Sequence, residues 1–586
     1  MLIQTSRSQC DGESLPSAGL TMLVLFASGA TASLPFFQSV FLMNLDRFFP
    51  LVFGLHCFAA MGGTADVFRV SQLSSSDLSE PVSVKTLWGE VQRPSLPTHV
   101  CTVLPARLTP KHGSIDALDA NPKVSKPDTK RLQDAIDDCP AGSAVKLVID
   151  SHRKSGFLSG PLHLKSGVTL WIDDGVTLFA SRNPKDYDKG NGTCGTATST
   201  HEFSCMPLIS AINTTGSGIV GGGVIDGRGG SILTGGKYAR QRTWWDLAYQ
   251  NKRHALHQQV PRLIQIRGGN DFTLYRVAIE NAPNFHVVAD TVSGVTAWGI
   301  RILTPSLVYT TPGYHCPPGT TPDVVTPATC FTPDTVKNTD GFDPGQSNHV
   351  LLAYSYISTG DDHVAIKARG KMPSYALSFL HNHFGYGHGM SIGSDTESGV
   401  HDMEVSDLSI DGFDSPNSNG LHMKSDADHG GVVDHVTYSK ICMRRLKRPL
   451  AFDTFYKPSN GNSYPLFKNI VLQDIHVLES PVFGAGQLLF MGILGSGNNL
   501  PMTLSMDNVV FDGFLPTLIA PPSSIVFANP QAAHFHFGPG PVSFAPLITP
   551  SVAYDVTVSG SPGVGNPYDC SAAFINFSSI FPDSPI

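Results

Sequence analysis

Gly167-Val-Thr-Leu-Trp-Ile-Asp-Asp-Gly-Val-Thr-Leu-Phe-Ala180 states one short theme twice. Val168, Leu170 and Ile172 alternate with polar or boundary positions, a turn intervenes at Asp173-Asp-Gly175, and Val176, Leu178 and Ala180 alternate again. Period-two alternation broken by Gly and Asp reads as short strands joined by tight turns. The theme continues from about residue 140. Further strands are predicted at 263–266, 272–279, 350–357, 363–367, 390–393, 421–424 and 470–477. Val364 to Met390 is 26 residues and Met390 to Leu421 is 31. Strands recurring at that spacing without helices between them imply stacked coils, each burying one apolar face against its neighbours. The leucine ladder of leucine-rich repeats is missing, and propeller blades need about four strands per 40–45 residues. The expected fold is therefore all-β, a right-handed parallel β-helix.

Such a stack has open ends that need covering. Leu132, Ala135, Ile136 and Cys139 fall at i, i+3, i+4 and i+7, which predicts an amphipathic helix over 128–139 that caps the first coil. Residues 66–126 are Ser/Pro-rich and poorly periodic, and read as a linker or small irregular N-terminal piece. The β-helix domain is expected over 127–586. Residues 1–65 read as targeting sequence. Arg47 precedes an apolar run to Met61, and Gly63-Thr-Ala65 supplies a small-residue cleavage site. A second apolar run, 20–26, precedes Ala30-Thr-Ala32, which suggests that translation starts at Met43. An N-terminal anchor helix is the alternative. No other stretch reaches the roughly 18 apolar residues that a membrane span needs.

The 586-residue chain has 15% charged residues, 57 glycines and a net charge of −8. An average soluble domain has roughly 25% charged residues. The acidic balance argues against a nucleic-acid partner, since phosphate binding needs a basic surface. Without residues 1–65, eight of the ten cysteines remain. An even number in an exported chain suggests disulfides, and Cys194/Cys205 and Cys316/Cys330 are close enough to close local loops. Buried free thiols are the other reading. No Cys/His set has zinc spacing, so neither a metal nor a cofactor is expected.

The chemistry gathers in four consecutive coils. Asn338-Thr-Asp340 and Gly360-Asp361-Asp362 lie one coil apart, so three carboxylates share a patch, and packing like charges raises at least one pKa. A calcium site or Asp-rich turns would also use such residues. Gly387-His388-Gly389 follows one coil later, where an imidazole can tune a neighbouring carboxylate. Gly420-Leu-His422-Met-Lys424 comes next, with two cationic side chains on one strand face. Carboxylates for chemistry beside cations for a carboxylate suit a sugar acid.

These four motifs, in this order, resemble the signature of glycoside hydrolase family 28, the polygalacturonases. The resemblance runs over roughly 127–515 and includes Phe157-Leu-Ser-Gly-Pro-Leu-His-Leu-Lys165, Trp244-Trp245, Pro283-Asn-Phe-His286 and Asp453-Thr-Phe-Tyr456. It implies inverting hydrolysis of α-1,4 bonds between galacturonic acid units of pectin by a secreted or periplasmic monomer. It makes Asp361 the general acid, Asp340 and Asp362 the carboxylates that activate water, and His388 their support. Lys424, His422 and Tyr456 would bind substrate, and Asn338 would orient the carboxylates. Two positions depart from the family pattern. His422 stands where Arg is usual, so a substrate grip that weakens as pH rises through about 6.5 is expected. His363 stands where Asn or Cys is usual. Rival readings are a rhamnogalacturonan or xylogalacturonan hydrolase, an exo-acting enzyme, a calcium-dependent pectate lyase on the same fold, and a non-catalytic β-helix that only binds carbohydrate. The Pro/Thr-rich insertion 305–336, if closed by Cys316–Cys330, would form a wall beside the cleft that favours exo attack.

Overall fold

A computed structural model describes residues 81–121, 126–199, 203–322, 326–495, 497, 499–514, 525–527, 530–548 and 555–586. The expected targeting segment lies outside them. The fold is a right-handed parallel β-helix. One ladder shows how it is built. Leu162 pairs with Ile209, and the series continues through Ile264, Val287, Phe342, Val364, Met390, Leu421, Leu450 and Leu488. All are buried in one continuous core. The sequence spacings of 26 and 31 are thus the pairing register itself, because Val364 pairs with Met390 and Met390 with Leu421. Some expected strands merge or lengthen. The predictions at 263–266 and 272–279 become Ile264–Tyr275 and Ala278–Glu280, and that at 470–477 becomes Leu466–Leu478.

The helix Thr129–Asp138 buries Leu132, Ala135 and Ile136 against the first coil. Cys139, just past its end, is bridged to Cys101. Residues 81–121, expected as linker or irregular chain, carry an antiparallel hairpin, Ser83–Thr86 with Gly89–Gln92. The strand Val100–Pro105 then joins the parallel sheet beside Ser143–Val148. A one-turn helix, Asp116–Asp119, places both its acids on two arginines of the stack. Asp119 bridges Arg182 and Arg228 at 2.6 Å each, and Asp116 contacts the same pair. Arg228 is 1% exposed, so these acids neutralise a charge that burial would otherwise make costly.

The eight cysteines of the described region form four disulfides, including the two local pairs anticipated from spacing, Cys194–Cys205 and Cys316–Cys330. The fourth, Cys442–Cys570, spans 128 residues and leads into a C-terminal tail. Phe577 and Phe581 of that tail pack on Leu303, and Leu307 N–H donates to Asp583 O at 2.9 Å. Among the described residues, no helix is long and apolar enough to cross a membrane.

Candidate active site

The chemistry sits in the turns that open successive strands of one sheet. Because Phe342 pairs with Val364 and Val364 with Met390, Asp340 stacks on Asp362 and Asp362 on His388, with Asp361 one residue aside. The backbone fixes this. Gly341 N–H donates to Asp362 O and His388 N–H to Asp361 O, both at 2.9 Å. His286, buried in the preceding coil, donates to Asp340 O from its backbone and from Nδ1, each at 2.9 Å. Burial lowers the pKa of its ring to about 4, so it serves as a neutral strut. The glycines flanking His388 have steric reasons. A side chain at Gly387 would strike the His363 ring, and one at Gly389 would strike the backbone of Asn419 and Gly420.

Each carboxylate has its own surroundings. Asp362 accepts from Lys424 Nζ and Ser391 Oγ, both at 2.7 Å. Burial works against its charge, but Lys424 prevails and holds its pKa below the ordinary value. Asp361 lies 3.0 Å from His388 Nδ1 and 3.6 Å from Lys252 Nζ, and accepts from Asn338 N–H at 3.3 Å. Burial again opposes ionisation, yet His388 and Lys252 keep Asp361 well below the usual carboxylate range. Asp340 is different. Its Oδ1 is buried and without a partner among the described residues, and its nearest cation is Lys367 at 3.7 Å. Lys367 is spent on Asp343 at 2.9 Å. Burial and then the charge of Asp343 push Asp340 well above its ordinary pKa. Of the three, Asp340 is the carboxyl whose protonated form its surroundings favour most.

The structure brings all eight expected site residues together. Lys424 touches Asp362 and lies 5.3 Å from the centre of the Tyr456 ring, and His422 meets Tyr456 edge-on at 6.1 Å. Asn338 reaches Asp361 through its backbone N–H, while its side chain accepts from Gln258 at 3.0 Å. One expectation is corrected. Burial and the neighbouring Lys424 charge lower the pKa of His422 to about 3, so it is neutral near neutral pH and has no charge to lose at 6 to 7. His363 is neutral as well. It stacks on Phe384, donates from Nε2 to Gly385 O at 3.0 Å and accepts from Gly389 N–H at 3.2 Å.

Sequence reasoning missed Lys252, Lys367 and Asp343. Asp343 lies three residues past Asp340 and Lys367 ends the predicted strand 363–367, and strand parity was the signal that both face outward. Lys252 comes from the helix Trp244–Arg253, whose cue was Thr243-x-x-Asp246, a reciprocal N-terminal cap. Trp245 anchors that helix against Tyr309 and Phe331 of the 305–336 insertion, with ring centres 5.3 and 5.0 Å away. Ligand atoms of Asp361, Asp362 and His388 lie within 4.8 Å of one another. A cation there would have to compete with Lys424 and Lys252, which already hold the two carboxylates.

Comparison with known proteins agrees with this geometry. The profile of glycosyl hydrolases family 28 matches residues 139–513. A polygalacturonase of Ralstonia nicotianae is 57% identical over 517 residues, covering 88% of this chain and 97% of that protein. An endo-polygalacturonase of Pectobacterium carotovorum subsp. carotovorum is 43% identical over 348 residues, covering 59% and 77%. The solved polygalacturonase from Erwinia carotovora ssp. carotovora superposes with a TM-score of 0.60 at 36% identity, covering 76% of this chain and 98% of that one.

Proposed function

The chain belongs to glycosyl hydrolases family 28, and from that premise we propose that it cleaves α-1,4 bonds between galacturonic acid units of pectin by inversion. The observation that carries the reading is the unequal surroundings of three stacked carboxylates: Lys252 and Lys424 hold Asp361 and Asp362, while Asp340 has a buried Oδ1 without a partner among the described residues. In this reading the proton that the cluster shares rests on Asp340 before the sugar arrives, the carboxyl whose pKa burial and Asp343 raise. An arriving galacturonate carboxylate draws on Lys252 and adds a negative charge beside Asp361. Both effects raise the pKa of Asp361, and the proton passes to it. Asp361 then protonates the leaving glycosidic oxygen as the bond to the anomeric carbon breaks. Water attacks that carbon from the opposite face and gives its proton to the Asp340/Asp362 pair, from which Asp361 is recharged.

Endo attack is the reading that the named endo-acting relative supports. The exo reading from the insertion wall predicts monomer or dimer products from the outset. The experiment is a time course on polygalacturonate. Mid-length oligomers early in the reaction are expected, with the new reducing end in the β configuration by NMR. Retention at that carbon, or unsaturated products, would overturn the reading. Four disulfides support an oxidising compartment, and we read the protein as an exported monomer whose mature chain begins near Asp66.

A further inference from the structure

Two coils before Asp340, Arg262 lies against two aromatic rings, one of them Phe285 of the coil between. Its guanidinium carbon is 4.2 Å from the ring centre of Phe203 and 5.4 Å from that of Phe285. The arginines buried among the described residues, Arg182 and Arg228, are satisfied by acids, pairing with Asp116 and Asp119. Arg262 makes no ion pair among the described residues, and its Nε is buried without an acceptor. The negative charges that act on it are Asp343, Asp290 and Asp340, and Arg267 acts against it.

Phe203 and Phe285 also line a groove of about 210 Å³, together with Gln258 and Asn338. The groove joins the reaction centre through one chain of contacts. Gln258 donates to Asn338 Oδ1 at 3.0 Å, and Asn338 N–H donates to Asp361 at 3.3 Å. Phe203 is 62% exposed. A large exposed apolar ring beside a guanidinium that makes no ion pair among the described residues suits a ligand with a carboxylate on one edge and a C–H face.

We propose that Arg262, with Phe203 and Phe285, is an outer binding site for the carboxylate of a galacturonate unit remote from the scissile bond, on the side of the cleft opposite Tyr456. The proposal rests on the reading of the cleft as one that binds polygalacturonate. A guanidinium grips a carboxylate through two parallel hydrogen bonds, and the flanking rings limit how far Arg262 must be ordered to do so. Occupancy of this site makes affinity depend on chain length.

The test measures binding of trigalacturonate and hexagalacturonate by calorimetry to the full chain carrying Asp361→Asn, with and without Arg262→Gln. The advantage of the hexamer over the trimer should shrink about tenfold when Arg262 is replaced, the scale of one good contact. Phe203→Ala, at an exposed position that packing tolerates, should shrink it in the same direction. An unchanged ratio in both variants, or an equal loss for both oligomers, overturns the assignment and makes Arg262 a charge balancer for Asp340 and Asp343. Failure of Asp361→Asn to bind either oligomer overturns the reading of the cleft, and this inference with it.

Discussion

At the scale of single residues, the cluster works because its carboxylates are unequal. Replacing Asp361, Asp340 or Asp362 by Asn should each lower turnover at least ~100-fold, the range for losing a placed acid or base; near-normal turnover in Asp361→Asn would remove its role as acid. Asp340 makes a second, opposite prediction. A carboxyl whose folded pKa is raised contributes most below its unfolded pKa and costs stability as pH rises through the folded one. Asp340→Asn should therefore melt at or above wild type at pH 7, and that margin should fade by about pH 4. The cluster titrates as a unit, so Lys252→Gln, which removes a charge that lowers Asp361, should move the acid limb of kcat/KM to higher pH. His422 is the residue whose behaviour was least legible. The sequence shows an imidazole in place of Arg, with a reference pKa of about 6.5. Its environment, enclosed and 8% exposed beside Lys424, is a property of the folded sheet alone. KM curves for wild type and His422→Arg should run parallel from pH 5 to 8, the window in which an unperturbed histidine titrates.

At the scale of elements, strands were legible and insertions were not. Spacing reveals a coil because a parallel register converts sequence distance into stacking, as from Val364 to Met390. It also placed Asp340, the Asp361/Asp362 pair and His388 in adjacent turns. The helix Trp244–Arg253 follows no repeat, and both of its tryptophans are buried, one in the main core and one against the 305–336 insertion. An amphipathic reading over so short a helix is weak when its partner surface is a loop. Its function is to aim a basic last turn at Asp361. Trp245→Ala, which empties a site packed by Tyr309 and Phe331, should destabilise by about 3–5 kcal/mol and lower kcat/KM; a variant with wild-type kcat/KM would separate helix position from activity.

Over the whole molecule, a repeat pattern gives the stack but not what clasps it. Residues 81–121 lack periodicity because their hairpin and one-turn helix are too short to display any. What they contribute is charge: Asp119 serves two arginines buried in later coils. Asp119→Ala leaves Arg228 underpaired and should cost about 3–5 kcal/mol, seen as a lower Tm with little change in the pH profile of turnover. A Tm within a degree or two of wild type would mean that Asp116 alone is sufficient.

The tail that follows Cys570 changes how such a molecule comes apart. A plain stack behaves as a one-dimensional chain of neighbours, so its ends can fray coil by coil while the middle stands. Here residues 577–583 rest on the coil of Leu303, while the bridge at Cys442 tethers the same tail to a coil well over a hundred residues later. Fraying of the late coils then pulls on the early ones, and the cleft between these anchor points is opened only when both let go. The short-range arithmetic of a repeat gives way to all-or-none loss.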